Sequence, residues 1–221
     1  AGYQVETNAF WYDMLCFAIE MESKYGRKTS GFVEKWSPVR DMVAENYQKM
    51  FWMPDKGYLA DYVDNNGQNT DVRPNQLFAL AVHHQPVDDT VLGSMMNVVD
   101  RELVTSRGIR TLSPRDLKYR GVYEGTQRER DLAYHQGCAW PALLLPYARI
   151  KFRMDGAAFC KRAEWLMEGF YDDLNKHGVG MFSELYDGDP PHEPHGAISS
   201  AMSTAALLYV ENLINKYKEE R

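Results

Sequence analysis

Met181-Phe182-Ser183-Glu184-Leu185-Tyr186-Asp187-Gly188-Asp189-Pro190-Pro191-His192 joins two helical runs and reads as a loop. It holds three carboxylates, one histidine, one glycine and two prolines in twelve residues. The prolines fix φ and remove backbone donors, and the glycine admits positive φ, so the loop is held in shape. A rigid loop presenting carboxylates at the end of a helical scaffold suits acid/base chemistry on a polar substrate, with Glu184 as the lead catalytic candidate. Asp187 and Asp189 serve either as turn-formers through Asx hydrogen bonds or as substrate ligands. His192 can donate to a hydroxyl. A metal pair of His192 and His195 lacks the further ligands zinc needs, so no metal site is expected.

Working outward, the helix before this loop runs from about Ala157 to Asn175, with Phe159, Ala163, Leu166, Met167, Phe170 and Leu174 on one stripe. The helix after it, about Ala197 to Lys218, opens on small residues. Further out, periodicity predicts helices over about Glu6–Tyr25, from the Ser37-Pro38 start signal to an end at Pro54, over Pro74–His83, Asp88–Val104 and Gln136–Phe152. Helices apolar on several sides alternate with ordinary amphipathic ones, which implies an inner and an outer layer. The polar loops leading into the inner helices would gather at one end. The long irregular stretch 105–133, dense in Arg, Asp, Tyr and Glu, reads as functional. Lys216, Lys218, Glu219, Glu220 and Arg221 read as a solvated tail.

Composition narrows the class. The 221 residues are 44% hydrophobic, enough for one domain with its own core. A net charge of −6 without a basic cluster argues against nucleic acid as a partner. No apolar run approaches the roughly 18 residues of a membrane span, and nothing reads as a signal peptide. Cys16, Cys138 and Cys160 fit reduced thiols of a cytoplasmic protein. Aromatics at 13% suit a sugar cleft, where pyranose faces stack on rings, as well as a large core. A structured run already begins by Val5, so the chain reads as a piece of a longer protein.

Four segments together resemble a known family. They are Val5-Glu6-Thr7-Asn8-Ala9-Phe10-Trp11-Tyr12; Arg73-Pro74-Asn75-Gln76-Leu77-Phe78-Ala79-Leu80; Leu112-Ser113-Pro114-Arg115-Asp116 with Tyr119-Arg120-Gly121-Val122-Tyr123-Glu124-Gly125 and Tyr134-His135-Gln136-Gly137; and Ser183 through His192. Their order and spacing are similar to those of the amylo-α-1,6-glucosidase domain of bacterial and archaeal glycogen debranching enzymes. The resemblance implies an all-α (α/α)6 toroid, of which residues 1–221 form a single domain, the C-terminal portion of the catalytic domain with about seven helices. It implies inverting hydrolysis of the α-1,6-linked glucose at a branch point, with glycogen or a limit dextrin as partner and no cofactor. Glu184 matches the family's general base. The general acid lies upstream of Val5 in the family, in a segment without a counterpart here, so the isolated chain is expected to be inactive. A partial toroid would expose inner helices and self-associate.

Substrate-binding candidates are Glu6, Asn8, Arg73, Asn75, Tyr123, Glu124, His135, Gln136, Trp140 and His192. Each has a plainer reading as well. Glu6 and Asn8 favour a helix N-terminus; Arg73 and Asn75 serve as brace and cap; His135 and Gln136 form a cap network; Trp140 is core. Asp116 and Arg120 decorate the long loop. The sequence departs from the family at Ala142 and Met202, where it usually has tryptophan. Two other functions compete. One is a non-catalytic glucan-binding helical module; the other is a sugar epimerase, which would lean on paired histidines.

Overall fold

The computed structural model describes residues 2–27 and 31–219; Glu220 and Arg221 of the expected tail lie outside the described residues. The chain divides into two compact units, Ala1–Asp71 with Asn75–Val98, and Val72–Pro74 with Val99–Arg221.

The first unit contains β1 (Tyr3–Gln4), α1 (Val5–Tyr25), α2 (Phe32–Phe51), β2 (Trp52–Met53), β3 (Tyr58–Leu59), β4 (Tyr62–Asp64), β5 (Gly67–Gln68) and α3 (Gln76–Ala81). The strands form an antiparallel β1-β4-β5 sheet and a β2-β3 hairpin. α1 packs on α2 and α3 through Val5, Ala9, Leu15, Cys16 and Ile19. Its other side is apolar too. Phe10, Met14 and Phe17, at spacings of four and three, are 46%, 50% and 57% exposed. The chain therefore has a helix with a second apolar face open to solvent.

α2 departs from the Ser37-Pro38 start signal. It begins at Phe32, and Pro38 lies inside it. The missing N–H costs about 3 kcal/mol. Aromatic packing upstream of the proline offsets it: Trp36 meets Trp11 edge-on at 6.2 Å and Phe32 at 6.1 Å.

His84, just past α3, is clamped to α1. Its backbone N–H and ring Nδ1 both lie 2.8 Å from Asp13 Oδ1, and its Nε2 lies 2.9 Å from Glu20. Burial pulls the imidazole pKa down, but Glu20 and Asp13 outweigh it and hold it above its usual value. Burial opposes ionisation of Asp13, yet its bonds to His84 hold it below the usual carboxylate range. The His84 contribution is complete below the imidazole's unfolded pKa and is lost as pH rises through the raised folded one. Asp13's is lost only in acid. Solvent screening keeps the effect small. Between pH 6 and 8 the melting temperature should fall by about 2–4 °C, the shift that ~1 kcal/mol makes in a chain of this size. His84→Gln should flatten that slope; an unchanged slope in a calorimetric pH series would count against the clamp.

α4 (Asp89–Glu102) begins in the first unit and ends in the second. The second unit continues with β6 (Val104–Thr105), β7 (Gly108–Arg110), α5 (Gln127–Tyr134), β8 (Ala139–Trp140), α6 (Leu144–Asp155), α7 (Cys160–Tyr171), β9 (Leu185–Tyr186), β10 (Pro194–His195) and α8 (Ala201–Glu219). α8 packs on α6 and α7, burying Tyr147, Phe152, Leu166, Phe170, Leu207 and Val210. The five strands form one antiparallel sheet in the order β10-β9-β8-β7-β6.

Helix dominates, and every strand is two or three residues long. Among the described residues there are eight α-helices, one more than expected. The addition is α5, inside the stretch read as irregular. It opens on a capping box in which Thr126 and Glu129 each bond the other's backbone N–H. The helix expected over Gln136–Phe152 instead begins at Leu144. Pro141 pushes Trp140 into an extended conformation, which places it in β8 and leaves a 3-10 turn, Pro141–Leu143, before α6. All three cysteines are free and buried, and burial pushes the Cys138 thiol up to about 12. No helix among the described residues is long and apolar enough to cross a membrane.

Candidate active site

The five-stranded sheet positions the loop over residues 181–192. Glu184 sits one residue before β9, which pairs with β8 on one side and β10 on the other. Its backbone is fixed to Ala197: the Glu184 N–H donates to the Ala197 carbonyl at 3.0 Å. Ser203 Oγ donates to the Glu184 carbonyl at 3.4 Å. The carboxylate receives two donors, one on each oxygen. Tyr134 Oη donates to Oε1 at 2.5 Å, and the Ala197 N–H donates to Oε2 at 2.9 Å. A carboxylate has about four lone-pair positions, so each oxygen keeps one for a further partner.

Around it stands an aromatic and imidazole cluster. Tyr123 lies 6.1 Å from the Tyr134 ring and 5.5 Å from the His195 ring. His135 stacks on Trp140 at 5.4 Å and 20°. Burial, then the Arg73 charge, hold His135 below the ordinary histidine pKa, so it is neutral near pH 7 and offers one donor and one acceptor. Trp140 is only 9% exposed. Its Nε1–H donates to the Tyr134 carbonyl at 3.2 Å, and the Tyr134 ring meets its edge at 4.8 Å. The indole thus supports Tyr134 and His135 from beneath, packed with Ala133, Cys138 and Leu185.

The other sequence candidates divide by role. Arg73 braces the Tyr134–Gly137 segment: its guanidinium donates to the Thr111 and His135 carbonyls at 3.2 and 2.8 Å and to Gln136 Oε1 at 2.7 Å. That occupies an acceptor that Gln136 would otherwise show a ligand. Asp187 is buried and accepts from the Tyr123 N–H at 2.7 Å, with His195 Nε2 at 3.0 Å. Asp189 accepts from Tyr119 Oη at 2.8 Å. Both aspartates therefore stitch loops together. His192 places Nδ1 2.8 Å from the Asp187 carbonyl. A carbonyl only accepts, so Nδ1 is a protonated nitrogen of this ring. Asp116 closes an Asx turn onto the Lys118 N–H; Glu124 is exposed.

Glu6, Asn8 and Asn75 belong to the first unit. The Asn8 amide donates back to the Gln4 carbonyl at 2.7 Å, and Asn75 Nδ2 donates to Asp61 at 2.9 Å. Glu6 has a buried Oε2 with no hydrogen-bond partner among the described residues. Burial, with the Asp61 charge adding to it against a backbone bond, raises its pKa.

Three glycines let the loops of the second unit cross. Gly188 N–H donates to the Gly121 carbonyl at 2.6 Å, and Arg110 Nε donates to the Gly188 carbonyl at 2.9 Å. A Cβ on Gly188 would overlap the Gly137 carbonyl oxygen and lie 2.7 Å from Tyr119 Oη. Gly137 has φ +148°, and a Cβ there would lie 2.6 Å from the Arg120 carbonyl oxygen. Sequence reasoning quoted Tyr134 and Tyr119 within a motif without a role and missed Arg110 altogether. Partners 50, 70 and 78 residues away leave no local spacing to read.

A helical chain with a carboxylate held at a loop beside a polar and aromatic cluster has the build of a glycoside hydrolase, and solved structures share its fold. A mannosylglycerate hydrolase of Thermus thermophilus matches with a TM-score of 0.62 and 14% identity, over 94% of this chain and 45% of that one. Neutral trehalase of Saccharomyces cerevisiae matches at 0.60 and 14%, over 96% and 38%. Both are (α/α)6 toroid enzymes, and this chain has that fold class. The chain belongs to the amylo-alpha-1,6-glucosidase family, whose profile matches residues 1–209. It is also 24% identical to the glycogen debranching enzyme of Saccharomyces cerevisiae over 85% of its own length, spanning 15% of that enzyme.

Proposed function

We propose that this chain is the base-bearing part of an inverting amylo-α-1,6-glucosidase that removes the glucose stub at a branch point of glycogen or a limit dextrin. Glu184 takes a proton from a water as the water oxygen bonds to C1 of the stub and the C1–O6 bond breaks. The departing O6 takes a proton from a carboxylic acid supplied from outside these residues. Inversion needs about 6.5–9.5 Å between the two carboxyl groups to admit that water. The observation that carries the reading is the Glu184 carboxylate, fixed by one donor on each oxygen and keeping a lone pair free on each. Neutral His135 and the imidazole of His192 supply polar groups of the kind that sugar hydroxyls need. The family membership supports a glucan substrate. The unpaired buried thiols support a cytoplasmic site of action.

The test is glucose release from a limit dextrin by the complete protein and its Glu184→Gln variant. Tight dextrin binding without glucose release by either protein would favour a non-catalytic glucan-binding module. The same proposal makes the isolated chain inactive and self-associating through the exposed α1 face of Phe10, Met14 and Phe17. Sedimentation at rising concentration should show growing assemblies, and Met14→Glu should suppress them. A monomer at every concentration would overturn that part.

A further inference from the structure

We infer that Tyr134 is the positioning residue of the Glu184 carboxylate, holding its plane so that one chosen lone pair faces the attacking water; the inference rests on the reading of Glu184 as base. Tyr134 is the last residue of α5, and the chain leaves the helix there for β8. Its hydroxyl makes the shortest of the bonds that hold the Glu184 side chain, 2.5 Å to Oε1. The Ala197 N–H on Oε2 is a backbone donor and fixes one oxygen only. One fixed oxygen leaves the carboxyl free to swing about that contact. A second donor on the other oxygen removes the swing.

The phenol is itself held. Its ring meets Trp140 edge-on, and its carbonyl accepts the indole N–H, so Trp140 fixes both ends of the residue. Tyr123 packs beside it. Burial, then the Glu184 bond and charge, push the phenol up to about 12, so it donates throughout the range in which a glucosidase works. A donor that keeps its proton leaves the carboxylate as the acceptor, which is the state a base must be in. A half-buried tyrosine also contributes packing, so the experiment has to separate the hydroxyl from the ring.

Tyr134→Phe keeps the ring and removes only the donor. In the complete protein acting on a limit dextrin, kcat should fall about 10²-fold, the cost of a misplacement of ~1 Å, with KM held within about twofold. Melting should be unchanged. Combined with Glu184→Gln, the second substitution should add nothing, because Tyr134 acts only through that carboxylate. Three results would overturn the inference: wild-type kcat in Tyr134→Phe, early melting with kcat and KM lost together, or losses that multiply in the double variant. Full turnover in Glu184→Gln alone is a separate outcome. It removes the base reading, and this inference with it, whatever Tyr134→Phe does.

Discussion

Glu184→Gln lowers glucose release from a limit dextrin by about 10³-fold or more, within the range for loss of a general base. That is ~4 kcal/mol on the barrier. The loss is chemical, because the site tolerates the amide. The Ala197 N–H still finds an acceptor in the amide oxygen, and the amide NH2 then faces Tyr134, whose hydroxyl accepts as well as donates. Affinity for the dextrin should hold, so kcat falls while KM does not rise. Unchanged turnover would remove Glu184 from the reaction and turn attention to Glu6, whose buried oxygen has no partner among the described residues.

Gly188→Ala should be the most damaging one-carbon change in the second unit. Its methyl would occupy the place of the Gly137 carbonyl oxygen, which is backbone and cannot rotate away. Relief means moving one of two crossing strands of chain. That breaks the Gly188 N–H bond to Gly121 or the Arg110 bond to the Gly188 carbonyl. Overpacking of this kind costs about 3 kcal/mol and should lower the melting temperature by about 6–12 °C. Activity should fall further than stability, since Glu184 is four residues away on the same loop. Gly93→Ala is the control. A Cβ there meets nothing within 4 Å, and Gly93 is helical, so alanine should stabilise by about 0.5–1 kcal/mol. Equal effects of the two substitutions on the melting curve would refute the crossing argument.

The helices were legible in the sequence because their apolar periods are long. α1, α4, α7 and α8 lie close to where periodicity places them. Two of the errors show how a local signal is overruled by packing or missed. Pro38 looks like a helix start, and only the distant partner Trp11 shows why the helix begins earlier. The Thr126–Glu129 capping box was present but hidden in a stretch already judged irregular. Glu184 was legible from its loop. Tyr134 was not, because its significance is a bond across fifty residues. The strands of the sheet are too short for any alternation to show.

Those strands have one more consequence. A pair of two-residue strands gains little free energy by itself, and closing the intervening chain costs entropy that grows with its length. β9 meets β8 across more than forty residues of sequence, and each ladder is meaningful only when its neighbours are already in place. The helices can form piecemeal, but the loop arrangement around Glu184 cannot. The proposed base Glu184, the Arg73 brace and the glycine crossings should therefore come into place together.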